Sequence, residues 1–152
     1  MKLASYQLDV SAPPAVVFGT AADVGAMPQY TRDVESMVFL TPAPLQLGSR
    51  VRDTRRLLGV RRSQVIAITL FESPARFVAR FSIFGVTFDN DHLFHPRPGG
   101  TRMVINVEAA GATGPARALL PFVPLAGALV RHGIRREAED IQREAERRAA
   151  AS

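Results

Sequence analysis

Phe77-Val-Ala-Arg-Phe-Ser-Ile-Phe-Gly-Val-Thr-Phe-Asp-Asn-Asp-His-Leu-Phe94 reads as two β-strands, Phe77–Phe84 and Val86–Phe94, folded back on each other across Gly85. Side chains of a strand alternate between two faces. Phe88, Asn90, His92 and Phe94 therefore share one face, and Asp89, Asp91, Leu93 and His95 share the other. The two phenylalanines make the first face the interior, which turns Asn90 and His92 inward as polar groups in apolar surroundings.

The same pattern continues on both sides of this hairpin. Val34–Thr41 is β-rich, and Val51–Leu57 and Gln64–Phe71 pair across Gly59. Thr101–Ala110 follows the turn Pro96-Arg-Pro-Gly-Gly100. Turn residues at such regular spacing predict an antiparallel meander. Before it, Lys2–Val10 alternates as one further strand. Ser11 offers a helix N-cap oxygen ahead of Pro13 and Pro14, where a missing N–H costs nothing. Val16, Val17 and Phe18 form the buried side of that helix, and a second short helix is expected around Gly25–Asp33.

After Gly111, Gly114 and Pro115 the period changes. A long helix is predicted over about Pro124–Ala149, with Ala126, Val130, Ile134, Ala138, Ile141 and Ala145 on one apolar stripe. Its other face is charged, with Glu139–Arg143 and Glu144–Arg148 at the favourable spacing of four. Its first half is bulky (Phe122, Leu125, Leu129, Val130) and its second half is mostly alanine. The expectation is one α+β domain over residues 1–152. A curved antiparallel sheet of six or seven strands and two short helices wrap around a long C-terminal helix, and the concave face leaves a cavity.

Composition excludes several classes. The chain of 152 residues is 47% hydrophobic and 22% charged, ordinary for a globular domain. It has no cysteine, hence no disulfide framework, thiolate metal site or thiol nucleophile. No apolar run is long enough to span a membrane, and Gln7 and Asp9 interrupt any N-terminal export signal, so a cytoplasmic location is expected. The net charge of +5 equals the excess of Arg50, Arg52, Arg55, Arg56, Arg61 and Arg62 over Asp53 on one predicted hairpin. Such a patch suits an anionic membrane surface, or is a solvated outer face that resists edge pairing.

Ser11-Ala-Pro-Pro-Ala-Val-Val-Phe18 followed by Ala22-Asp-Val-Gly-Ala-Met-Pro-Gln-Tyr30 resembles the opening signature of the START-related SRPBCC superfamily, of the polyketide cyclase/dehydrase type. Glu72-Ser-Pro-Ala-Arg-Phe77, His92-Leu-Phe-His-Pro96 and Gly99-Gly-Thr-Arg102 resemble its later landmarks. The resemblance covers essentially the whole chain. It implies a helix-grip fold enclosing a pocket for lipids, sterols, quinones or polyketides, and only some members catalyse cyclisation or dehydration.

Function then rests on the inward residues. On the Val51–Leu57 strand, alternation turns Asp53 and Arg55 inward and leaves Arg50, Arg52 and Arg56 outside. The expected ligand wall is Tyr30, Asp53, Arg55, Phe77, Phe81, Phe88, Asn90, His92, Phe94, Met103, Ile105 and Val107, with Leu125, Leu129 and Val130 from the helix. Binding of a hydrophobic small molecule, as carrier or sensor, is the leading expectation. An aromatase/cyclase or dehydrase would use His92 for proton transfer and Arg55 to hold a carboxylate or enolate. A lipid or quinone chaperone would dock on membrane through Arg50–Arg62 and Leu119–Val130. No metal site is expected, because His92 and His95 with Asp89 and Asp91 divide between two faces. No cofactor is expected: Gly99-Gly100 lacks a phosphate-loop context, and no Gly-x-Ser-x-Gly elbow is present. Nucleic-acid binding is not expected without aromatics among the arginines, and the chain is expected to be a monomer or homodimer.

Overall fold

The computed structural model describes residues 1–152. Seven strands form one antiparallel sheet: β1 (Lys2–Val10), β2 (Val34–Phe39), β3 (Arg50–Leu57), β4 (Val60–Glu72), β5 (Arg76–Ile83), β6 (Val86–Arg97) and β7 (Gly100–Ala112). Their order is β1-β7-β6-β5-β4-β3-β2, so the meander runs from one edge inward and β1 closes the other side against β7. Between β1 and β2 lie α1 (Pro14–Ala22) and α2 (Met27–Tyr30); α3 (Gly127–Ala151) ends the chain. No helix is long and apolar enough to cross a membrane.

Register shifts at Lys2/Ala4, Val34/Ser36, Ile68/Leu70 and Thr87/Phe88 bend the sheet. The two tight hairpins have both central residues in the left-handed region, Leu58 with Gly59 and Phe84 with Gly85. That is the turn geometry that matches strand twist. Gly100 is required for a different reason: a Cβ there would lie 2.1 Å from the Val10 carbonyl oxygen.

Phe18 of α1 fastens the helical layer to the sheet, edge-on to Phe71, Phe77 and Phe94 at 5.2–5.6 Å. Ser11 does not cap α1, whose N-cap position is Pro13. Its backbone N–H instead donates to Glu146 Oε2 at 2.8 Å, tying the end of β1 to α3. Thr101, 1% exposed, donates its hydroxyl to the Ala12 carbonyl at 2.8 Å. Thr101→Val should therefore cost about 1–3 kcal/mol by orphaning that carbonyl. Denaturant melts check this, and an unchanged midpoint would refute it.

The long helix starts later than its sequence predicts. Residues Gly114–Ala126 form a 3₁₀ segment containing Pro121 and Pro124. Its repeat is three residues rather than 3.6. Leu119, Phe122 and Leu125 thereby fall on one outward face, 42, 62 and 82% exposed, while Val123 is buried.

Candidate functional site

The concave sheet face, the α2 region and α3 enclose a cavity of about 200 Å³. Strand alternation supplies its sheet wall. Asp53 and Arg55 of β3, Phe77 and Phe81 of β5, Phe88, Asn90 and His92 of β6, and Val107 of β7 all line it. The helix contributes Val130, Ile134 and Glu137. On the outer face of the same strands, Arg76 pairs with Asp91 at 2.9 Å and Arg80 with Asp89 at 2.7 Å.

The other expected wall residues lie elsewhere. Phe94, Met103 and Ile105 share the inward face but sit at most 2% exposed in solid core, beneath α1 and the alanine-rich half of α3. Tyr30 packs at the edge of that core and donates its hydroxyl to the Thr20 carbonyl at 2.8 Å. Leu125 and Leu129 are 82 and 40% exposed and do not reach the cavity. The 3₁₀ repeat turns Leu125 outward, and Leu129 lies off the stripe that Val130 and Ile134 present to the sheet.

The polar end of the cavity contains a residue that the sequence reading passed over. Glu137, 7% exposed, stands between Arg55 and His92. Arg55 Nη2 is 2.7 Å from Asp53 Oδ2 and 3.6 Å from Glu137 Oε1. His92 Nε2 is 3.9 Å from Glu137 Oε2, beyond hydrogen-bond range. Arg55 Nε also donates to both Asp53 oxygens, at 3.2 and 3.0 Å. Arg55 is therefore shared between two carboxylates and is not a vacant cation. A signal for Glu137 was present: it lies three residues after Ile134 and four before Ile141, on the stripe itself. The rule that charged residues face water concealed it.

Charge and burial compete within this cluster. Burial would push the Glu137 carboxyl up, but His92 and the Arg55 guanidinium outweigh it and hold it at about 2. For Asp53 burial wins, and its carboxyl is raised despite Arg55. Burial would lower Arg55, but Glu137 and Asp53 together raise it above its ordinary value. One turn further along α3, Asp140 is 1% exposed. It accepts the Arg32 backbone N–H at 2.9 Å and pairs with the Arg32 and Arg143 side chains, each at 2.9 Å. Arg143 thus pairs three residues back, while the expected Glu139 turns to Arg32 at 3.0 Å.

Of the arginine hairpin, Arg55 lines the cavity, and so do Arg62 and Arg56, which was expected to face outside; Arg56 and Arg61 bracket Glu35 at 3.0 and 2.8 Å. Arg62 lies 5.3 Å over the Phe84 ring.

A curved sheet gripping a long helix around an apolar cavity defines the START-like helix-grip class. The chain belongs to the family described as polyketide cyclase / dehydrase and lipid transport, whose sequence model matches residues 1–146. Among solved structures it is similar to a START superfamily protein from Mycobacterium smegmatis, with TM-score 0.75 and 13% identity over 94% of this chain and 96% of that one. It is also similar to the Zhui aromatase/cyclase of a Streptomyces species, with TM-score 0.68 and 19% identity over 95 and 93%. A Thermus thermophilus protein aligns with TM-score 0.69 and 21% identity over 97% of both chains. No curated protein matches the sequence.

Proposed function

We propose that this protein binds a small hydrophobic molecule between its sheet and α3, as a carrier or sensor. The observation that carries this reading is the unfilled apolar cavity between sheet and helix, walled by Phe77, Phe81, Phe88, Val107, Val130 and Ile134. Close-packed interiors leave few voids larger than a water molecule, and concave apolar sites with a few convergent polar groups suit small ligands. Titration with an environment-sensitive apolar dye should saturate near one equivalent. Phe88→Arg, which puts a charge into the cavity, should weaken binding at least about tenfold, since burying an unpaired charge costs well over 1.4 kcal/mol. Leu129→Arg, on the exposed side of α3, should leave it unchanged. A folded wild-type protein that binds no dye would refute the reading.

A second reading is catalytic, of the cyclase or dehydrase type, and one observation favours it. His92 and Arg55 line the same cavity and both approach Glu137. In this reading His92 transfers the proton while Glu137 and Arg55 orient it and balance its charge. The membrane-docking reading has less support, because Arg55, Arg56 and Arg61 already have carboxylate partners.

A further inference from the structure

We infer, building on the binding reading above, that the Ala79–Asn90 rung of the β5–β6 hairpin seats an aromatic ligand through a ring hydroxyl held by Asn90 and His92. Three inward rungs succeed one another along this hairpin: Phe77 opposite His92, Ala79 opposite Asn90, and Phe81 opposite Phe88. The outer two are stacked ring pairs, Phe77 on His92 at 4.4 Å and 12°, and Phe81 on Phe88 at 5.6 Å and 23°. The middle rung holds only a methyl group and a short amide. Same-face rungs are ~6.8 Å apart along a strand, so the two stacks bound a gap of ~13 Å. A flat ring fits there, bounded at each end by the ring edges of a stack. The cavity volume of about 200 Å³ sets its size: a void of ~150 Å³ accommodates benzene, so one or two fused rings match this one.

The polar groups of this gap specify the substituent. Asn90 Oδ1 and His92 Nδ1 are both buried and have no hydrogen-bond partner in the protein, although His92 as a residue is only 4% exposed. Buried polar atoms are nearly always satisfied, so two orphans on adjacent same-face positions point to a missing partner. An acceptor-only group, such as a ketone or carboxylate, cannot serve the Asn90 carbonyl oxygen. A hydroxyl can: it donates its one proton to Asn90 Oδ1 and accepts from His92 Nδ1–H.

Naphthalene, naphthol and naphthoate, titrated into the wild-type protein near neutral pH, separate these requirements on one ring system. Naphthol should bind about tenfold more tightly than naphthalene, the gain of satisfying the buried Asn90 oxygen, and naphthoate, which has no proton to donate there, should bind more weakly than naphthol. Asn90→Leu should erase the naphthol advantage while retaining naphthalene, and Ala79→Leu should weaken both by filling the gap. Equal affinity for naphthol and naphthalene would overturn the hydroxyl seat and leave the cavity reading standing. Naphthoate binding as tightly as naphthol would overturn the requirement for a donor at Asn90. Failure of all three to bind would overturn this inference and the binding reading together. The wild-type series decides the question even if a variant does not fold.

Discussion

Arg55→Met should lower the unfolding free energy by about 3–5 kcal/mol near neutral pH, because it strips the cation from two buried carboxylates. Asp53 and Glu137 are 1 and 7% exposed, and Arg55 is the only arginine or lysine within ion-pair distance of either. Against a typical total of about 5–15 kcal/mol, that loss leaves the domain marginal. The pH dependence has a definite sign. In the wild type the Glu137 carboxyl sits at about 2, below its ordinary 4.5, so its contribution is present above 4.5 and is lost as pH falls towards 2. Asp53, raised by burial, acts in the opposite sense, its ionisation opposing folding as pH rises. Without Arg55 both carboxyls move up, and their cost disappears once acid protonates them. The deficit of Arg55→Met should therefore shrink below about pH 4.5, and adding Asp53→Asn with Glu137→Gln should recover much of it near neutral pH. Urea melts across this range check the claim. A deficit under about 1 kcal/mol, or one that grows in acid, would show that the cluster is solvated rather than buried.

His92→Gln should lower turnover by roughly 10²–10⁴-fold if the cavity performs cyclisation or dehydration, because it removes proton transfer while keeping a polar side chain of similar size. Ligand affinity should hold within a few-fold, so the loss belongs to kcat rather than KM. Glu137→Gln should give a smaller loss with a shifted pH–rate profile, as expected of a group that acts through the imidazole rather than on the substrate. Incubation of wild type and variant with poly-β-keto thioesters, followed by product analysis, distinguishes the cases. Equal turnover by wild type and His92→Gln would remove the catalytic reading; the binding reading does not depend on it.

Much of the architecture was legible because strands and turns are local signals. The hairpins at Gly59 and Gly85 and the period of two through β3, β5 and β6 place Asp53 with Arg55, and Asn90 with His92, on the concave face. The helix boundary was harder. Pro121 and Pro124 announce a break, but only the folded chain shows that thirteen residues continue as a 3₁₀ segment, with Leu125 turned outward. Alternation also says which face is inward without saying how much of it is filled. Phe88 and Phe94 have the same parity, yet one lines the cavity and the other lies in solid core.

Local periodicity by itself determined the order of elements, the meander and the inward parity of the polar residues on β3 and β6, since backbone geometry converts spacing directly into facing. The tertiary structure decided where the cavity ends, that Glu137 enters it, and that Arg55 is already paired. Those outcomes depend on how α3 is rotated and seated across the sheet. That seating is set by packing and charge pairing between residues distant in sequence, such as Arg32 and Asp140, 108 positions apart, which no local pattern encodes.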